Sequence, residues 1–139
     1  MKGSRSSKKS SSRLSLSGHL RHAGIHVKNL KEAIRFYQYF QFRVTSRSRE
    51  TWLCKPLKIV KMEDHKGNRI ELIEGDWESH VAITVRQPGA CDMIWRDLVR
   101  KVYDPVAYKE DKNLEVFFIR DPSGNLVEVV NENPQARSR

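Results

Sequence analysis

Residues 64–73 read D-H-K-G-N-R-I-E-L-I and residues 121–130 read D-P-S-G-N-L-V-E-V-V, so one pattern is written twice and Glu71 recurs as Glu128. A second pattern accompanies it: H-A-G-I-H-V, starting at His22, returns as H-V-A-I-T-V, starting at His80. The offsets, 58 residues for the histidines and 57 for the glutamates, agree closely enough to mark one repeated structural unit. Two histidines and two glutamates thus hold equivalent places in the two halves. Imidazole with carboxylate is the donor set that a divalent metal ion recruits when sulfur ligands are absent.

The elements follow outward from these repeats. Residues 20–28 alternate and carry β-branched side chains, which predicts a strand with His22, Gly24 and His26 on one face. Asn29 caps a helix, with Glu32 three residues on and Leu30, Ala33, Ile34 and Tyr37 at helical spacing, running to about residue 40. Strands follow at 43–49, 57–63 and 69–74, the last two joined through Gly67-Asn68. The order β-α-β-β-β then starts again. A strand at 79–86 leads to a helix opening near Pro88, with Ala90, Ile94 and Leu98 in an apolar row and Asp92–Arg96 and Asp97–Lys101 as i,i+4 pairs. Strands at 106–108, 115–120 and 126–131 complete it, the last two turning through Pro122-Ser123-Gly124-Asn125.

Strand parity explains why the four residues could meet. Glu71 and Glu128 point away from their flanking pairs, Ile70/Leu72 and Val127/Val129. If those apolar pairs pack beneath the helices, both carboxylates face the other side of the sheet, and His22 and His80 join them there. Gly24 and Ala82, two residues beyond each histidine, leave room beside the imidazoles. Burying two carboxylates in one cleft is costly unless a cation balances them. Taken singly, a strand glutamate is often merely solvated and a half-buried histidine satisfies a local hydrogen bond; the recurrence of both pairs favours a metal site of His22, Glu71, His80 and Glu128. Its nitrogen/oxygen character suits Zn, Ni, Co, Mn or Fe(II) alike.

The totals bound what surrounds this site. At 139 residues the chain is one domain's worth, so each repeat is half a domain, over residues 20–77 and 78–133. Of 26 Lys/Arg, six fall in residues 1–21 with no acid, leaving 20 basic against 17 acidic residues for the rest of the +9 chain. Residues 1–19 read as a basic, Ser-rich disordered arm and 134–139 as a tail. The arm is the one place where nucleic acid or an acidic partner could bind through charge, and its composition also suits an organellar transit segment. No apolar run is long enough for a membrane span, and Cys54 and Cys91 make neither a C-x-x-C pair nor a disulfide framework, so a cytoplasmic, reducing setting is expected. The absence of a Gly-rich phosphate loop and of G-x-S-x-G disfavours phosphoryl transfer and serine hydrolysis.

With H-A-G-I-H-V-K-N-L-K-E-A-I-R-F-Y from His22, R-I-E-L-I-E from Arg69, S-H-V-A-I-T-V from Ser79 and F-I-R-D-P-S-G-N-L-V-E-V-V from Phe118, the chain resembles the vicinal oxygen chelate superfamily over nearly all of residues 20–132. That superfamily includes glyoxalase I, bleomycin-resistance proteins, methylmalonyl-CoA epimerase and extradiol dioxygenases. The resemblance implies an α+β fold in which two pseudo-symmetric βαβββ modules form a curved mixed sheet around a metal-binding cleft, in a homodimer. It places His22, Glu71, His80 and Glu128 on the four metal positions, a full set closest to glyoxalase I. Where that enzyme tends to carry an Arg four residues after the first histidine and an Asn four after the first glutamate, this chain has His26 and Gly75, which leaves glutathione use open.

A glyoxalase-like lyase or isomerase is therefore expected. Vicinal oxygens of a small-molecule substrate would be chelated and an enediolate stabilised, with Glu128 as first base and Glu71 as its symmetric partner. An epimerase of the same superfamily and a noncatalytic drug- or antibiotic-binding protein are the alternatives. Substrate-binding candidates are His26, Trp77, Trp52 and Arg43, with Arg47, Arg49 and Arg86 as further cations.

Overall fold

Both copies of D-x-x-G-N form the same turn. Asp64 Oδ1 accepts from the backbone N–H of Lys66 at 2.9 Å and of Asn68 at 2.8 Å, and Asp121 Oδ1 accepts from Ser123 and Asn125 at 2.9 Å each. The Asn side chain returns to its Asp in both, and Gly67 and Gly124 sit at φ 85° and 91°, where a Cβ would be strained. These hydrogen bonds hold both Asp carboxyls below their ordinary range, with Asn68 and Asn125 the largest causes. In each half the turn sets the register of the strand carrying the glutamate.

The computed structural model describes residues 17–100, 105–110 and 114–132, without side-chain placement at 91, 95, 98–100 and 105–110. The first module runs β1 (His19–His26), α1 (Leu30–Gln38), β2 (Arg43–Trp52), β3 (Lys55–Glu63), β4 (Arg69–Gly75); the second runs β5 (His80–Val85), α2 (Ala90–Arg100), β6 (Pro105–Glu110), β7 (Glu115–Arg120), β8 (Leu126–Asn131). All eight strands make one mixed sheet in the order β2-β3-β4-β1-β5-β8-β7-β6. β1 lies parallel to β4 and β5 parallel to β8, while β1 and β5 meet antiparallel at the seam. The expected pair of βαβββ modules is the observed architecture. Most of the basic arm and the 134–139 tail lie outside the described residues, as do the side chains of Leu98 and Lys101.

The helices cover one face. Ile34 of α1 packs on Val60, Met62 and Leu72 with Ile70 beside them, and Ala90 and Ile94 of α2 pack on Val129, Phe117 and Ile119 with Val127. The parity expected for Ile70/Leu72 and Val127/Val129 is thus realised, and Glu71 and Glu128 turn to the opposite face. That face is curled. Trp52 of β2 and Phe118 of β7 stand six strand intervals apart in the sheet order, which in a flat sheet would be roughly 29 Å, yet their ring centroids are 5.1 Å apart.

The hairpin between β2 and β3 differs from expectation. A loop over residues 50–56 is what the sequence suggests, but the strands continue until Trp52 pairs with Lys55 and only Leu53 and Cys54 form the turn. Both have positive φ, 51° and 64°, as a two-residue type I′ turn requires. Neither is the Asn or Gly that usually signals such a turn, so local chemistry gave no warning. The extension carries Trp52 over the inner face. α1 also stops two residues early: Tyr39 is its C-cap, and Gln41 at φ 71° reverses the chain.

Candidate metal centre and its cavity

The seam between β1 and β5 builds the site by exchange. His22 lies opposite Ala82 and Gly24 lies opposite His80, so each histidine faces the small residue that follows the other. Gly24 also pairs with Glu71, and Ala82 with Glu128. Two rows therefore cross the inner face, Lys61–Glu71–Gly24–His80 and His22–Ala82–Glu128–Phe118. The room expected beside each imidazole is occupied by the other strand's histidine. A Cβ added at Gly24 would lie 2.3–2.8 Å from the His80 ring atoms, so this glycine is the seat of that imidazole.

His22 and His80 are 4% and 8% exposed and their rings meet edge to face at 5.7 Å. Glu128 Oε1 lies 3.1 Å from His80 Nε2 and 3.4 Å from His22 Nε2, and one donor atom from each of the three falls within 4.8 Å of the others. Glu71 stands outside this trio. Its Oε2 is 3.4 Å from the other nitrogen of His22, Nδ1, and 3.8 Å from Lys61 Nζ. Burial alone would raise the Glu128 carboxyl, but the two imidazoles against it hold it down to about 2. Burial raises Glu71, with negative Glu128 adding to the effect and His22 and Lys61 opposing it.

The protonation of His80 bears on what the site can hold. Its Nδ1 is 3.1 Å from the carbonyl oxygen of Glu78. A carbonyl only accepts, so Nδ1 carries a proton, and in the neutral ring the Nε2 lone pair is then turned toward the Glu128 carboxylate. Two electron-rich atoms at 3.1 Å repel unless a positive charge joins them, either a second proton on the ring or a cation. Burial, the largest single influence, would lower the His80 imidazole, but the hydrogen bonds to Glu128 and to the Glu78 carbonyl and the charges of Glu128 and Glu71 together outweigh it, and the net direction is upward. His22 Nε2 is buried and has no hydrogen-bond partner among the described residues. An unsatisfied ring nitrogen, a misdirected lone pair and an ionised carboxylate fit a divalent metal ion.

A cavity of about 400 Å³ opens over these groups and is lined by His22, Glu71, His80 and Glu128 together with Trp52 and Trp77. Two of the expected substrate contacts fall elsewhere. His26 shares the parity of His22 but lies four residues along β1, roughly 13 Å at strand rise, and is exposed, with its backbone N–H bonded to Ser79 Oγ. Arg43 opens β2 at the edge of the sheet and pairs with Glu63. Parity alone says which face a side chain takes, not how far along the strand the cavity reaches.

The cavity also holds residues that sequence reasoning passed over. Lys61 is the register partner of Glu71, and a signal existed: once the turn after Glu63 is placed, counting back across the hairpin gives the pair. Phe118 packs on the His80 ring at 5.5 Å. Arg21 lines the cavity because the β1/β5 register shifts between Leu20 and His22; it donates to Thr84 Oγ1 at 3.2 Å and pairs with Glu132. Such a bulge leaves no local mark in the sequence.

No family profile and no curated protein matches the chain by sequence. In structure it is similar to the methylmalonyl-CoA epimerase of Mycobacterium tuberculosis, with 19% identity and a TM-score of 0.63 over 86% of this chain and 90% of that one. It is similar also to a glyoxalase/bleomycin resistance protein/dioxygenase superfamily member from Vibrio splendidus 12B01, at 13% identity and TM-score 0.54, over 81% and 99%. Catechol 2,3-dioxygenase matches at 22% and 0.51, over 86% of this chain and 42% of its own. The fold is that of the vicinal oxygen chelate superfamily. No described helix is long and apolar enough to cross a membrane.

Proposed function

We propose that this chain is a metal-dependent lyase or isomerase of the glyoxalase type, moving a proton between neighbouring carbons of a substrate that presents two adjacent oxygens. The observation that carries the reading is the convergence of His22, His80 and Glu128 from both modules, with the carboxylate of Glu71 set just beyond them. These three would hold a divalent ion, Zn, Ni, Co, Mn or Fe, with Glu71 as a fourth ligand within reach. When bound, such an ion supplies positive charge where an enediolate develops its negative charge.

The two glutamates, equivalent in the repeat, differ in surroundings. Glu128 is pinned between both imidazoles and serves as anchor. Glu71 touches one imidazole and Lys61, lines the open cavity, and is the side chain placed to take a proton from one carbon and return it to the next. This reverses the order expected from sequence, where Glu128 came first. The Glu78 carbonyl keeps His80 in one tautomer, with Nε2 directed at the site. An epimerase acting on another acyl substrate is the second reading, favoured by the likeness in fold to methylmalonyl-CoA epimerase.

Metal content measured by elemental analysis, on protein purified without a metal-affinity step, is the test, followed by turnover of hemithioacetals and of acyl-CoA epimers. Glu71→Gln should keep the metal and lose turnover by ~10²-fold or more, the usual worth of a positioned base. Glu128→Gln should lose the metal itself. Protein that stays empty after incubation with all the candidate ions would leave small-molecule binding as its role.

A further inference from the structure

The two rows that cross the inner face are related by the repeat, yet their ends differ. Lys61 flanks Glu71 at one end and Phe118 flanks Glu128 at the other. The place beside Glu71 is thus taken by a cation and the equivalent place beside Glu128 by an aromatic ring. Phe118 lies 5.5 Å from His80, and Trp52 and Trp77 each meet Phe118 edge to face at 5.1 Å. Trp52 and Trp77 also pack against Leu57, Ile59 and Ile73, which fastens this wall to both modules.

The wall starts directly at the His80 imidazole, so a group reaching it must be attached at or next to the oxygen-bearing carbons; a long linker would carry it past. The indole centroids are 6.1 Å apart with planes tilted by 36°. A ring sandwiched between them would need twice the optimal contact distance, about 7 Å, so a ligand ring lies across the wall and not between the indoles. Phe118 is buried while both tryptophans remain half-buried at the cavity, leaving ring surface to offer. Among the described residues the rings pack on Leu57, Ile59, Ile73, Val116, Leu126 and Val130, so a substituent laid on this wall meets apolar surface, where a charge is costly to bury.

We infer that the substrate is a small compound whose two neighbouring oxygens carry an aryl group directly beside them, the oxygens facing the ion that His22, His80 and Glu128 would hold and the aryl ring lying on the wall of Trp52, Trp77 and Phe118. This rests on the proton-transfer reading above and narrows it.

Two α-hydroxy ketones that differ only in the substituent, 2-hydroxyacetophenone and hydroxyacetone, test it on the full chain loaded with zinc. Calorimetric titration should show the aryl ketone binding at least about tenfold more tightly. Trp77→Ala should bring that ratio below about threefold with zinc content unchanged, and Trp77→Phe should restore it. Equal or undetectable binding of both ketones, or an aryl preference that survives Trp77→Ala, overturns the inference. Exchange of the α-protons with solvent deuterium, followed by NMR, separates the two claims. Exchange without aryl preference leaves the reaction standing and the substrate class wrong; preference without exchange for either ketone does the reverse.

Discussion

At the scale of single residues, the clearest constraint is Gly24, whose missing side chain is the space that the His80 ring fills. Gly24→Ala should rotate that ring out of the trio and weaken metal binding by roughly tenfold or more, comparable to disturbing a ligand's supporting contact; competition with a chromogenic chelator would measure it. Glu128 gives a pH dependence with a definite sign. Its carboxyl is held at about 2 in the folded chain against an ordinary 4.5. The metal-free protein should therefore have the full contribution above about pH 4.5 and lose it as the pH falls through about 2. His80, raised above its ordinary 6.5, contributes in the opposite window, fully below 6.5 and less as the pH rises through its folded value. Urea titrations from pH 2 to pH 8 should show the acid limb flattened in Glu128→Gln.

At the scale of elements, the repeated D-x-x-G-N turns were legible because their chemistry is local: an Asp that accepts two backbone N–H groups and a Gly at positive φ. The Leu53-Cys54 turn was not legible, since it adopts the same kind of backbone without the residues that favour it. Leu at positive φ is costly, and its persistence here reflects pairing of the long β2 and β3 strands on either side. Replacing Leu53-Cys54 with Asn-Gly should stabilise the protein by about 1 kcal/mol, read as a higher urea midpoint at unchanged slope. Cys54 is exposed and free, so that substitution removes no described contact of its thiol.

At the scale of the molecule, the site exists only where the halves meet, since His22 and Glu71 come from one module and His80 and Glu128 from the other. A ligand bound there ties the seam. Metal at a hundredfold excess over its dissociation constant should stabilise the whole fold by about 2.7 kcal/mol, visible as one cooperative thermal transition moving upward, and the shift should vanish in His22→Ala. Two transitions, only one of them moving, would mean that the modules unfold separately and that the seam is not the structural unit described.

The sequence by itself determined the repeat, the order of elements, the face each glutamate takes and the pairing of His22 with Glu71 and His80 with Glu128 by position. Each is carried by short-range periodicity or by comparison of one half with the other, and neither needs three-dimensional contact. Only the tertiary structure decided that each histidine seats on the other strand's small residue, that Glu71 stands apart from the trio, that Arg21 turns inward at a bulge, and that His26 and Arg43 lie beyond the cavity. Those facts depend on strand register across the seam and on how far the sheet curls. Both come from the summed packing of residues distant in sequence, such as Trp52 against Phe118, and no local pattern encodes them.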